Sequence, residues 1–73
     1  MAEVKVKTEV AGRVCLIPTS IGGSVGNGDD IMMVEAMKME IPVTSTAAGK
    51  IKSILVSLDE VLTEGQVVAV IET

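Results

Sequence analysis

The chain has 73 residues, no aromatic side chain and no histidine; hydrophobic residues make up 48% of it and its formal net charge is −4. This composition describes a small folded domain with a core of Val, Ile, Leu, Met and Ala, and it excludes Ser–His–Asp and Cys–His catalysis and the commonest zinc sites. Six scattered basic residues against ten acidic ones argue against nucleic-acid binding, and no apolar run approaches the roughly 18 residues of a membrane span.

MAEVKVKTEV, at the start, has neither the apolar stretch of a signal peptide nor the Arg/Ser richness of a transit peptide, so a cytoplasmic location is expected. One domain over residues 1–73 is expected to bury about 60% of its unfolded-chain surface and to be stable by about 4–11 kcal/mol. Residues 3–7, EVKVK, alternate with period two and predict a half-buried strand. Cys15 has no partner for an internal disulfide and is expected to be a small buried hydrophobe.

From Ala11 onward the chain nearly repeats itself at an offset of 37. AGRVCLIPTSIGGSVGNGDDIMMVE (11–35) lies without gaps over AGKIKSILVSLDEVLTEGQVVAVIE (48–72). Val14, Ile17, Ile21, Val25, Ile31, Met33 and Val34 meet Ile51, Ile54, Leu58, Leu62, Val68, Val70 and Ile71; Gly28 meets Gly65 and Glu35 meets Glu72. Turn chemistry at Gly22-Gly23, Gly26–Asp29 and Thr63–Gln66 breaks each half into short Val/Ile-rich strands. The step of three from Val14 to Ile17, and from Ile51 to Ile54, predicts a bulge in each half. Such spacing points to a sandwich or closed barrel with two similar halves.

The segment between the halves, VEAMKMEIPV (34–43), is open to two readings. Glu35 to Glu40 are good helix formers, but the repeat pairs Ile31–Glu35 with the plain strand Val68–Glu72, which favours a hairpin. With Met37 and Lys38 at the corners of a two-residue turn, Ala36 faces Met39, Val34 faces Ile41 and Met32 faces Val43 on one apolar side. Glu35 opposite Glu40 and Met33 opposite Pro42 fall on the other side, and a one-residue slip spoils the segregation. Two costs follow: like charges face each other, so the glutamates must splay into water, and Met-Lys fills corners that demand positive φ and normally recruit Asn or Gly. That strain is a hint of function.

EAMKME followed by IPV and preceded by GNGDDIMMV strongly resembles the attachment site of biotinyl domains, found in the biotin carboxyl carrier proteins of biotin-dependent carboxylases, and the likeness runs over residues 3–72. The resemblance implies an all-β flattened barrel of two four-stranded antiparallel sheets with a pseudo-twofold axis. It implies that Lys38, at the tip of an exposed hairpin, carries covalent biotin, with Glu35, Ala36, Met37, Met39 and Glu40 as motif and recognition residues. Related lipoyl domains typically carry Asp-Lys-Ala there, so Met37 and Met39 favour biotin.

The resemblance further implies a non-catalytic carrier, biotinylated by a biotin protein ligase and moving a carboxyl group between biotin carboxylase and carboxyltransferase sites, as in an acyl-CoA carboxylase. Departures from the family pattern lie at Thr8–Ala11 and Ser45–Ala48, where proline is frequent, and at Asp59-Glu60, where Gly-Asp is usual; Asp tolerates the left-handed region, so that turn should survive. PTSIGGS leaves no room for the protruding thumb of some bacterial carriers, so the chain looks like the small stand-alone biotinyl proteins. A lipoyl-type acyl and electron carrier, or an unmodified structural hairpin domain, are the alternatives.

Overall fold

A computed structural model describes residues 2–73, and every element in it is a strand. In chain order these are β1 (Glu3–Lys7), β2 (Gly12–Leu16), β3 (Ser24–Val25), β4 (Asp30–Ala36), β5 (Met39–Thr44), β6 (Gly49–Ile54), β7 (Val61–Leu62) and β8 (Val67–Glu72). They form two four-stranded antiparallel sheets, ordered β1-β8-β6-β3 and β5-β4-β2-β7. The expected fold class is the one found. No helix of the described residues is long and apolar enough to cross a membrane.

Each sheet is closed by a strand from the other half of the chain. Gly12 and Arg13 of β2 pair with Leu62 and Val61 of β7, while Ser24 and Val25 of β3 pair with Lys50 and Gly49 of β6. The predicted bulges are present: the register slips between Val14 and Leu16 against β4, and between Ile51 and Ser53 against β8. The first of these corrects the expectation for Cys15. Cys15 follows the inward-facing Val14 and is the residue the bulge leaves unpaired, so it is only half-buried, and its thiol donates to the Met33 carbonyl at 3.4 Å.

The repeat is longer in three dimensions than the gap-free match starting at Ala11. β1 pairs with β8 (Glu3 with Glu72, Val4 with Ile71, Lys5 with Val70) as β5 pairs with β4 (Glu40 with Glu35, Ile41 with Val34, Pro42 with Met33). The offset of 37 thus begins at Glu3. Thr8 and Ser45, the buried polar residues, occupy equivalent places where the family often has proline-containing stretches. Each hydroxyl donates to the carbonyl two residues on and accepts that residue's N–H, so its polar atom is satisfied within its own turn. The Asp59 turn survives as expected, with φ +71°, and its counterpart Gly22 has φ +88°.

The core lies between the sheets and is built from equivalent pairs: Val6 with Val43, Val14 with Ile51, Val25 with Leu62, Ile31 with Val68, Met32 with Ala69, and Val34 with Ile71, all buried. Branched aliphatic side chains suit this arrangement because they pack on a pleated surface with little rotamer freedom to lose. Gly12 and Gly49 open β2 and β6 at the closest backbone approach. A Cβ on Gly12 would overlap the Glu35 carbonyl and sit 2.8 Å from Val34 Cγ1; one on Gly49 would overlap the Glu72 carbonyl and sit 2.9 Å from Ile71 Cγ2.

Candidate functional site

The hairpin β4–β5 has the register deduced from the sequence, with Ala36 opposite Met39, Glu35 opposite Glu40, Val34 opposite Ile41, Met33 opposite Pro42 and Met32 opposite Val43. Val34, Met32 and Val43 are buried under it. The helical reading of this segment fails because its apolar residues alternate with period two against a partner sheet, and burial outweighs local propensity.

Met37 and Lys38 form the two-residue turn, at φ +53° and +64°. Both corners therefore lie in the left-handed region, the type I′ arrangement that matches the twist of the strands. L-residues other than Gly, Asn and Asp resist that region at about 1–2 kcal/mol each, so the turn is held by the paired strands behind it. Met37 is 94% exposed and Met39 64%, and Lys38 is exposed between them. Among the described residues Lys38 enters no ion pair. The tip thus presents an unpartnered primary amine between two flexible thioether side chains, a surface suited to adaptable contact.

The pseudo-twofold relation explains why the site occurs once. It maps the Ala36–Met39 pair onto Thr73 and Ala2, where the Thr73 N–H donates to the Ala2 carbonyl at 2.9 Å. One sheet is closed there by the Met37-Lys38 turn; in the other, Ala2 and Thr73 meet through hydrogen bonds alone.

At the base of the tip Glu40 is exposed, as the sequence suggested, but Glu35 is not simply solvated. Arg13 on β2 reaches across to Glu35 at 3.0 Å and also pairs with Asp59 in the left-handed turn before β7. Those carboxylates, Glu35 first, raise the Arg13 guanidinium above its ordinary pKa. The cation relieves the like-charge contact between Glu35 and Glu40 that the register imposes, while Glu40 itself enters no ion pair among the described residues. Arg13 was missed as a site residue. Its sequence signal was the cation that follows Ala-Gly in both halves, opposite Glu35 in one and, as Lys50, opposite Glu72 in the other.

Among the described residues no group of three His, Cys, Asp or Glu side chains converges as a metal site. What the fold and tip define is a class: a β-barrel carrier domain offering one lysine at the corner of a protruding hairpin. The biotin/lipoyl attachment family, described as biotin-requiring enzyme, matches residues 5–71, and the chain belongs to that family. A biotinylated protein TB7.3 homolog of Mycobacterium leprae is 39% identical over 71 residues, covering 97% of this chain and 99% of that protein. Among solved structures, the urea carboxylase of Kluyveromyces lactis superposes with a TM-score of 0.93 at 32% identity, over 99% of this chain but 6% of that one. The lipoyl domain of the 2-oxoglutarate dehydrogenase complex of Azotobacter vinelandii shares the fold, with a TM-score of 0.73 at 19% identity over 100% of this chain and 98% of that one.

Proposed function

We propose that Lys38 is the biotin attachment residue and that the chain, one cytoplasmic biotinyl domain over residues 1–73, is a biotin carboxyl carrier. It passes a carboxyl group between the biotin carboxylase and carboxyltransferase sites of a biotin-dependent carboxylase such as an acyl-CoA carboxylase. The observation that carries this reading is the exposed Met37-Lys38 turn, both corners at positive φ, in a chain of the biotin/lipoyl family.

In this reading the Lys38 Nζ, once deprotonated by the ligase, attacks the acyl carbonyl of biotinyl-AMP; an amide forms, AMP leaves and the lysine loses its charge. The net charge then goes from −4 to −5. Bound biotin would supply the carboxyl-carrying chemistry. The protein's own residues extend the arm and keep its base rigid: β4 and β5 fix the turn, Arg13 ties β4 to β2 and the Asp59 turn, and Met37 and Met39 offer contact surface. Lysine plus the valeryl chain spans on the order of 14 Å, and tethering replaces free diffusion by an effective concentration.

The test is mass spectrometry after coexpression with an active biotin ligase. One biotin increment, localised to Lys38, is expected. A lipoyl increment would turn the assignment to an acyl and electron carrier, and no increment would leave an unmodified hairpin domain.

A sharper measurement exchanges Lys38 and Met39, which keeps composition and charge. The amine then moves from a turn corner to the strand pair opposite Ala36 and points toward the side carrying Val34 and Ile41. Productive attack needs close placement against the acyl adenylate, so the biotinylation rate should fall at least about 10-fold, roughly 1.4 kcal/mol in barrier. A folded exchange variant modified at the wild-type rate would mean that the ligase reads local sequence rather than the turn.

A further inference from the structure

β1 and β5 are edge strands of different sheets, and the seam between them holds a cavity of about 160 Å³. The buried counterparts Val6 and Val43 line it, one from each edge, so it lies across the internal twofold. It is not itself symmetric. Val10 and Ile41 are walls of the cavity, whereas their counterparts Ala47 and Val4 are not. Ile41 stands on the tip side of Val43, so the cavity extends from the axis toward the attachment hairpin.

Its lining is amphipathic. Val6 and Val43 are buried and Val10 and Ile41 half-buried, while Pro42 and Thr44 are exposed at the rim. The pair that closes a two-residue turn, here Ala36 with Met39, exchanges hydrogen bonds, and bonded and non-bonded pairs alternate from there. Pro42 opposite Met33 thus belongs to a non-bonded pair. Its carbonyl points off the free edge of β5 and, with no N–H beside it, the residue offers an acceptor alone. The volume is below the roughly 300–1,000 Å³ of a drug-sized site, so the seam suits a small ring system rather than a nucleotide or a peptide.

We propose that this seam is a resting site for the bicyclic ring of biotin carried on Lys38, an inference that rests on the attachment reading above. The ring joins an apolar thioether face to a ureido group with two N–H donors. The apolar face fits against Val10 and Ile41, and a ureido N–H donates to the Pro42 carbonyl. Reach is sufficient: Ile41 and Pro42 are three and four residues from Lys38, about 10–14 Å along the strand, against an arm of about 14 Å. Tethering decides the occupant. So small a site holds any free molecule weakly, whereas the attached ring is present at an effective concentration in the millimolar range.

The test compares amide NMR spectra of the isotope-labelled chain with and without biotin on Lys38. Shift changes are expected at Val6, Val10, Ile41 and Thr44 as well as at the tip. In the Lys38→Arg chain, millimolar biocytin, the free amide of biotin and lysine, should move the same four amides. Val10→Ala with Pro42→Lys gives the seam the residues of its own counterparts, Ala47 and Lys5. The biotinylated double variant should lose the changes beyond the tip. Streptavidin should capture its biotin about twofold faster than that of the wild type, the gain that follows when effective concentration and site Kd are comparable. Changes confined to residues 36–40 of the wild type overturn the inference alone, as do changes that survive in a folded double variant. So do changes that grow with protein concentration, which would place the ring on a second copy, and biocytin that leaves the four amides unmoved, whether or not the double variant folds. A wild-type chain that takes up no biotin by intact mass would overturn the attachment reading and this inference with it.

Discussion

Lys38→Arg is expected to abolish biotin attachment outright and to leave the melting curve in place. The guanidinium stays protonated and does not attack an acyl adenylate, so no residual increment should be found by intact mass under conditions that fully modify the wild type. Stability should be unmoved because both side chains sit exposed at the tip, outside any ion pair among the described residues. Such surface exchanges stay within about 0.5 kcal/mol. The companion variant Met37→Asn with Lys38→Gly should also lose the modification but gain stability. Its corners favour the observed φ of +53° and +64°, and relief of about 1–2 kcal/mol corresponds to a Tm rise of roughly 5–15 °C in a domain of this size. A destabilised Asn-Gly variant would mean that the tip residues hold the hairpin together. Biotin found on another lysine of the Arg variant would remove Lys38 from the site.

Gly49→Ala should lower stability more than a methyl group added at any glycine of the chain except Gly12. The new Cβ meets the Glu72 carbonyl, a backbone atom fixed by its place in β8, with Ile71 Cγ2 2.9 Å away. Neither can withdraw without opening the β6–β8 ladder, so a cost of about 2–3 kcal/mol is expected, and a Tm lowered by roughly 10–20 °C. Gly12→Ala should behave alike, since the Glu35 carbonyl lies in the equivalent place. The contrasting case is Gly22→Asp. Nothing lies within 4 Å of the position a Cβ would take, and the counterpart Asp59 already holds a side chain at φ +71°, so that exchange should cost less than about 1 kcal/mol. Thermal melts of the four proteins decide it; a Gly49→Ala domain melting with the wild type would mean that β6 can move away from β8.

Local features were readable in the chain because their physical causes are local. Alternation with period two fixes which side of a strand is buried, and so the register of residues 32–43 followed from Val34, Ile41, Met32 and Val43 facing one way. The same reasoning found the bulges after Val14 and Ile51; the persistence of the turn at Asp59 was expected instead from the family resemblance and the tolerance of Asp for the left-handed region. The repeat was legible from Ala11, where Ala-Gly is shared by both halves. Its first eight positions were not, because Lys5 against Pro42 and Lys7 against Thr44 resemble each other only in lying outward on edge strands, where solvent tolerates either.

The sequence by itself thus determined the strands, the central hairpin, the turn that displays Lys38, and the family to which the chain is similar. Only the tertiary structure decided which half completes which sheet, since β3 and β7 each consist of two residues whose pairing is settled by closure of the whole barrel. It also decided that Cys15 is the unpaired, half-buried residue of a bulge, and that Arg13 bridges Glu35 and Asp59, 22 and 46 positions away. Contacts at such separation depend on where the folded sheets bring the side chains, and a linear pattern carries no distance between strands that are not neighbours along the chain.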